Sequence, residues 1–177
     1  MRRMTCSWSL LFFLLTTTPG ETADWPHWRG PGRNDISSET SGWDGESWLR
    51  GPLWDVNVGE GSSSAVVIGN HVYLTGWSKN RDTIFCLDSE TGKELWRQSY
   101  ESPRYGRFAI GDQKLYSGAC STPDLDSETG LLFTLGVDGD LNAWDTGNKG
   151  RLSWSLNVYD RYKAERRPEV AERKKTQ

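Results

Sequence analysis

Residues 86–96 read CLDSETGKELW, and this stretch decides the fold. It has the composition of a strand end, a glycine-containing turn and a returning strand that carries a tryptophan. A looser copy, AWDTGNKGRLSW, lies at residues 143–154 and has one extra residue in its turn. Two copies of one hairpin indicate a repeat architecture, and repeat proteins more often recognise other molecules than transform them.

The residues of the hairpin have expected structural roles. Asp88 ends a strand, and its carboxylate, like the Thr91 hydroxyl, can accept hydrogen bonds from turn amides. Gly92 supplies the positive φ that a bulged hairpin turn needs, and the ring of Trp96 packs against a neighbouring sheet. In the second copy these roles are expected of Asp145, Gly147 and Trp154. None of the roles is catalytic, so no catalytic residue is predicted.

Strand-like runs bounded by turn residues form two sets of four. The first set comprises residues 64–68, 71–75, 82–87 and 94–100, with a hairpin turn at 69–70 and a further strand-like run before it at 53–58. The second set comprises residues 121–125, 130–135, 140–144 and 151–158, with a turn at 139–140. Trp96 follows Ser63 by as many positions as Trp154 follows Ser121, which supports the register of the two sets. Since four short antiparallel strands make one propeller blade, the sequence predicts an all-β fold with about two blades of an incomplete ring.

The N-terminal residues have the pattern of a signal peptide. Arg2 and Arg3 precede the apolar run at residues 10–15, which is too short to span a bilayer, and small or helix-breaking residues follow it. We therefore predict a signal peptide at residues 1–23, removed after Gly20 or Ala23, and no transmembrane segment in the mature chain.

Three other regions differ in composition from the strand sets. Residues 24–48 are rich in Trp, Gly and Pro, which predicts an irregular segment lying across a folded surface. Residues 107–118 are interpreted as an inserted hairpin between the blades. Lys and Arg dominate the end of the chain, so residues 159–177 are predicted to be a charged tail.

The overall composition limits the classes of partner and of site. The net charge of −3 argues against nucleic acid as a partner. In an exported protein Cys86 and Cys120 could form a disulfide, or they could remain two separate thiols. The acidic stretches at residues 124–128 and 138–140 faintly resemble calcium loops but complete none, so no metal site is predicted.

The first hairpin resembles the repeat signature of the pyrroloquinoline-quinone (PQQ) type β-propellers. That signature is Ala-x-Asp-x-x-Thr-Gly-Lys-x-x-Trp, and residues 86–96 match it except at the first position, where Cys86 stands. Residues 24–30, DWPHWRG, are similar to the N-terminus of many exported members. The resemblance covers residues 24–158 and implies a quinoprotein-like propeller repeat region there, from an apparently partial member. The family includes quinoprotein dehydrogenases and the propeller component of the outer-membrane assembly machinery.

The resemblance leaves enzymatic and non-enzymatic functions open. Dehydrogenases of the family hold PQQ with a calcium or lanthanide ion on the ring axis, often beneath adjacent cysteines, and this chain has no adjacent cysteine pair. Because about two blades cannot enclose a quinone alone, we expect a non-enzymatic, cofactor-free protein-interaction scaffold of the cell envelope, periplasmic or extracellular. Its partner is a protein that the sequence does not name, and uncovered blade faces predict self-association. The alternatives are the remnant of a PQQ- and Ca²⁺-dependent alcohol or sugar dehydrogenase and a carbohydrate-binding β module.

Overall fold

The structure, a computed structural model, describes residues 23–40, 45, 51–103 and 118–164, and within them the fold is all-β. The first sheet contains β1 (Val66–Ile68), β2 (His71–Ser78), β3 (Arg81–Asp88) and β4 (Glu94–Glu101). The second sheet contains β5 (Asp124–Asp126), β6 (Leu131–Leu135), β7 (Asp140–Asp145) and β8 (Arg151–Asn157). A 3-10 turn at Thr146–Asn148 joins β7 to β8, and a short helix, α1 (Val158–Tyr162), follows β8.

The strands of each sheet pair antiparallel in the order in which they occur in the chain. This up-and-down arrangement is that of a propeller blade. The predicted all-β class with two four-stranded blades is therefore confirmed.

Three details of the strands differ from the sequence prediction. β1 and β5 have only three residues each and begin later than expected. Residues 53–58, interpreted as strand-like, form no strand in the structure. The reason is that this segment contacts the first sheet through side chains, without a ladder of backbone hydrogen bonds.

Other predictions fall wholly or mostly outside the described residues. The predicted signal peptide overlaps them only at Ala23, and the inserted hairpin only at Gly118. Of the predicted charged tail, the structure describes residues 159–164, which continue α1 and then end it at Lys163 in a left-handed conformation. No described helix has the length and hydropathy needed to cross a bilayer.

The two sheets pack face to face around one apolar cluster. Because side chains alternate along a strand, each sheet has two faces. The faces that meet contribute the following residues: Val66, Tyr73, Ile84 and Cys86 from the first sheet, and Leu125, Leu132 and Trp144 from the second. We call the opposite face of the first sheet the near face and the opposite face of the second sheet the far face.

The N-terminal segment, residues 23–40, crosses from one sheet to the other. Trp25 exchanges backbone hydrogen bonds of 2.7 and 3.0 Å with Val67 of β1. The Asp124 carboxylate of β5 lies 2.9 Å from Nδ1 of His27 and accepts a hydrogen bond of 2.9 Å from Arg33. The segment is irregular, as predicted, and it ties together the first strands of both sheets.

Candidate functional site

Trp96 of β4 fills a space that only a glycine leaves open in the second sheet. Gly150, in the turn before β8, has a φ of 69°, and a Cβ at this position would overlap the ring of Trp96. The same ring lies on Tyr73 of β2, with centroids 5.9 Å apart and planes at 47°. The side-chain amide of Gln98 adds a hydrogen bond of 3.1 Å to the carbonyl of Lys149. The Trp96 side of the first sheet therefore fits the glycine turn of the second.

Trp154 of β8 has the same place in the second sheet as Trp96 has in the first. Each tryptophan pairs across a strand next to a β-bulge, Trp96 with Cys86 and Trp154 with Ala143. Trp154 also lies on an aromatic ring, that of Phe133, with centroids 5.9 Å apart and planes at 49°. The aromatic pair of the first sheet is thus reproduced in the second.

The surroundings of Trp154 differ, however, from those of Trp96. We expected both rings to pack against neighbouring blades, and within the described residues only Trp96 does so. Its ring contacts Phe133 of its own sheet, and 42% of the residue remains exposed because no described sheet lies beyond it. Leu135, on the same face by strand alternation, is 43% exposed. This far face is the candidate functional site.

The near face of the first sheet, in contrast, is covered. Its cluster of Val72, Phe85 and Leu87 packs against Trp54 and Val58. The uncovered blade faces that the sequence predicts therefore do not include this face, since residues from the preceding segment shield it.

Trp54 covers the near face by a contact that matches the one between Trp96 and Gly150. The turn glycine of the first sheet, Gly92, has a φ of 68°, and a Cβ there would come 2.6 Å from two ring carbons of Trp54. The indole nitrogen of Trp54 donates a hydrogen bond of 3.0 Å to the carbonyl of Ser89 in the same turn. Residues 53–58 thus take the position that the fourth strand of a preceding blade would have.

The turn at residues 88–92 is held by its aspartate and threonine. The backbone amide and the hydroxyl of Thr91 donate hydrogen bonds of 2.8 and 2.6 Å to Oδ1 of Asp88. The hydroxyl bond is the main reason that the pKa of Asp88 lies below its ordinary value. The carboxylate is ionised and occupied within its own turn.

A second copy of this turn lies where a calcium loop was considered. Residues 126–130 read DSETG, as residues 88–92 do, and join β5 to β6. Thr129 donates a hydrogen bond of 2.6 Å to Asp126, which holds the pKa of that carboxylate below its ordinary value. Gly130 again has a positive φ, 70°. The sequence interpretation missed this duplication, although identity of five consecutive residues is a signal that could have revealed it.

The turn of the second hairpin copy is built differently from the first. The glycine that corresponds to Gly92 is Gly150, whereas Gly147 lies in the 3-10 turn and is not among the residues with positive φ. Asp145 precedes that turn without a side-chain capping bond. The extra residue allows the chain to turn through Lys149, whose φ of 52° precedes the 69° of Gly150.

A buried polar group closes one end of the contact between the sheets. The Ser102 hydroxyl lies 2.8 Å from Oδ2 of Asp82 and 3.3 Å from Oδ2 of Asp138, and Tyr100 donates a hydrogen bond of 3.1 Å to Asp82. The ring of Tyr100 in turn stacks on Trp144 at 6.1 Å. This group links the end of the first sheet to the turn between β6 and β7, which is a structural role.

The two cysteines of the described region are both thiols rather than halves of a disulfide. Cys86 is fully buried among the core residues, and this burial raises the pKa of its thiol to about 11. Cys120 is exposed. Within the described ranges no three His, Cys, Asp or Glu side chains come together in a way that could hold a metal ion.

Comparison with known proteins found similarity among solved structures. No family model matches the chain. No curated protein matches it. Among solved structures, the crystal structure of BamB from Moraxella catarrhalis is similar at 20% identity and a TM-score of 0.35. The match covers 54% of this chain and 26% of that one, so this chain spans about a quarter of the length of that structure.

Proposed function

We propose that this chain is a non-enzymatic, PQQ-like β-propeller repeat protein that acts as an exported protein-interaction scaffold of the cell envelope. Its docking surface is the far face of the second sheet. The observation that carries the proposal is the exposure of Trp154 in a position whose counterpart, Trp96, is half-buried against the second sheet.

The chemistry of the far face favours another β-sheet as its ligand. The face carries the apolar side chains of Phe133, Leu135 and Trp154, and aromatic anchors of this kind dominate the energy of protein interfaces. Burial of such surface contributes about 25 cal/mol per Å². Because Trp96 is seated on a glycine turn, the partner of Trp154 is expected to present a similar turn.

The motif residues support recognition rather than catalysis. The carboxylates of Asp88 and Asp126 accept hydrogen bonds inside their own turns, and the tryptophans serve in packing. The proposal includes no cofactor. Addition of PQQ with Ca²⁺ should therefore leave the Tm unchanged, and a rise in the Tm would favour the dehydrogenase alternative instead.

Export is part of the proposal and is supported by the sequence. A basic start and a short apolar run precede residues 24–30, which resemble the mature N-terminus of exported propellers. N-terminal sequencing of the protein from its cells should find a first residue close to Glu21 or Asp24. An N-terminus at Met1 would contradict export through a cleaved leader.

A photocrosslinking experiment tests the docking surface. A photoreactive amino acid at position 135 or 154 should give discrete protein adducts in the cells that make this chain, and the same label at Trp28 should give none. Trp28 is the matched control because it is an exposed tryptophan, 60% accessible, in the N-terminal segment. Equal labelling from all three positions, or none from 135 and 154, would refute the proposal.

Carbohydrate binding is the second candidate, and it is favoured by the exposure of Trp154. A sugar stacked on this ring would change its fluorescence in a saturable manner. Such a change in wild-type protein, absent from Trp154→Phe, would favour the carbohydrate-binding function over the protein-binding one.

A further inference from the structure

We infer that the sheet that docks on the far face is the first sheet of a second copy of this chain, after residues 53–58 of that copy have left its near face. The inference rests on the proposed function, since it names the partner of the same docking surface. Residues 53–58 then compete with the second copy of the chain for the near face.

The argument begins with the contact inside one chain. There the Trp96 side of the first sheet meets the Gly150 side of the second. The far face repeats the Trp96 side, because Trp154 and Phe133 reproduce the geometry of Trp96 and Tyr73. The far face of one chain therefore exposes the same aromatic pair that the first sheet uses to contact the second sheet.

The other half of the contact is also present twice in the chain. Gly92 and Gly150 have φ values of 68° and 69°, and each leaves open the space that a tryptophan ring occupies. On the near face the apolar cluster beside Gly92 contains Val72, Phe85 and Leu87. The contact between Trp54 and Gly92 shows that the space beside Gly92 accepts an indole ring. Trp154 of another copy can therefore occupy the same space.

Residues 53–58 hold their position by few interactions. Leu53 is 92% exposed and Val56 is 40% exposed, so Trp54 and Val58 supply the packing. Among the described residues, no backbone hydrogen bond joins this segment to another part of the chain. A four-stranded sheet would cover the near face with a larger apolar surface than two side chains do.

The segment can leave without unfolding the first sheet. Glu60 exchanges backbone hydrogen bonds of 2.8 and 2.7 Å with Trp77, so the chain stays anchored immediately after the segment. Gly59, between Val58 and Glu60, has a φ of 93°, a backbone conformation that favours glycine. Displacement therefore has to separate the Val58 carbonyl from Gly76 of β2 and the Trp54 ring from Gly92.

The predicted assembly is head-to-tail, because the far face of one copy meets the near face of the next. Such a heterologous contact leaves one half of the interface open at each end. The assembly therefore grows with concentration and does not stop at a symmetric dimer, unless it closes into a ring.

Sedimentation velocity of the full 177-residue chain tests the inference with one variant expected to weaken self-association and one expected to strengthen it. Wild-type protein should show concentration-dependent species larger than a dimer. Trp154→Glu should weaken association at least about 30-fold. Trp54→Ala should strengthen it, because the competitor loses its anchor, and Trp28→Glu should leave it unchanged. If Trp54→Ala does not melt cooperatively, Trp54→Leu is used in its place.

A mixing experiment tests the polarity of the contact. Leu74→Glu places a charge on the near face, where Leu74 packs against the Val72 cluster. Leu74→Glu and Trp154→Glu should each be monomeric alone and should form a one-to-one heterodimer when mixed. Because each keeps one intact half of the interface, the complex cannot grow further.

Two results would overturn the inference. One is a monomeric wild-type protein at the highest concentration tested, and the other is a Trp54→Ala variant that weakens association as much as Trp154→Glu does. Adducts from position 154 to a different protein, together with a monomeric chain, would retain the proposed function and reject this inference. Absence of adducts together with a monomeric chain would reject both.

Discussion

The indole ring of Trp54 lies against Gly92, at a distance that would place a Cβ on that residue 2.6 Å from two ring carbons. Trp96 stands in the same relation to Gly150. Gly92 and Gly150 therefore each receive a tryptophan from the segment that precedes their sheet, and this repeated contact stacks the sheets. Among the described residues no glycine turn packs against Trp154, so this ring lacks the contact that Trp54 and Trp96 make.

The seat of Trp96 on Gly150 predicts a large effect of a small substitution. Gly150→Ala should lower the free energy of unfolding by about 2–4 kcal/mol, because the left-handed backbone costs about 1–2 kcal/mol and the methyl group displaces a packed ring. Gly69→Ala is the matched control, since Gly69 also has a positive φ, 52°, but a Cβ added there would meet no atom within 4 Å. Urea unfolding should give a cost of about 1 kcal/mol for the control. Equal costs would contradict the packing role of Gly150.

Trp96 and Trp154 should differ in their effect on stability despite their equivalent positions. Trp96→Ala should cost about 3 kcal/mol or more, since it removes a ring between two sheets. Trp154→Ala should cost roughly half as much or less in the monomer, because 42% of that residue is already in water. Chemical denaturation at low protein concentration measures both. A larger cost for Trp154 would refute the assignment of the far face as exposed.

The two DSETG turns predict loss of stability in acid. Because the Thr91 and Thr129 hydroxyls hold the pKa values of Asp88 and Asp126 below the ordinary value, the ionised forms favour the folded state. This contribution is present above the ordinary carboxyl pKa of about 3.9 and disappears as the pH falls through the lowered values. Urea unfolding at pH 7 and pH 3 should show a smaller difference for the double variant Asp88→Asn, Asp126→Asn than for wild type.

The control for the acid prediction is in the same turns. Glu90→Gln and Glu128→Gln change the charge equally but leave the aspartate–threonine hydrogen bonds intact. They should retain the wild-type dependence on pH. If the aspartate and glutamate variants change the pH dependence of stability to the same extent, net charge accounts for that dependence and the turn hydrogen bonds do not.

Alkaline pH should destabilise the fold through Cys86 and Tyr73. Burial raises the pKa of the Cys86 thiol to about 11 and that of the Tyr73 phenol to about 12. Since raised pKa values favour the protonated groups in the folded state, their contribution is present below about pH 9 and is lost as the pH rises towards 11–12. Cys86→Ala should therefore have a lower Tm at pH 7 and a smaller further decline above pH 9. A decline equal to that of wild type would exclude Cys86 as a cause.

The β2–β3 turn offers a stabilising substitution. Lys79 and Asn80 form this two-residue turn with φ values of 50° and 62°, and lysine is poorly suited to the left-handed region. Lys79→Gly should raise the free energy of unfolding by about 1 kcal/mol. Lys93→Gly, in a turn position where φ is not positive, should lower it instead. A loss of stability in Lys79→Gly would contradict the turn geometry.

Sequence patterns predicted the local structure because local structure follows from neighbouring residues. Glycine turns and alternating apolar residues identified both sets of strands, and the hairpin at residues 86–96 indicated the propeller-blade architecture. The Asp88 turn contains the hydrogen bonds expected from its residue types. Patterns failed at Gly147, because the extra residue of that turn moves the left-handed glycine to position 150.

The sequence by itself determined the two sets of four strands, most of the turns between them and the tryptophan that each last strand carries. Only the tertiary structure decided that Trp96 is seated on Gly150, that Trp54 covers Gly92 and that Trp154 is left in water. The physical reason is that strand and turn preferences depend on adjacent residues, whereas burial depends on which sheet face lies opposite. Trp96 and Trp154 have the same local environment, and what lies across from each ring makes one part of the contact between the sheets and the other a candidate docking site.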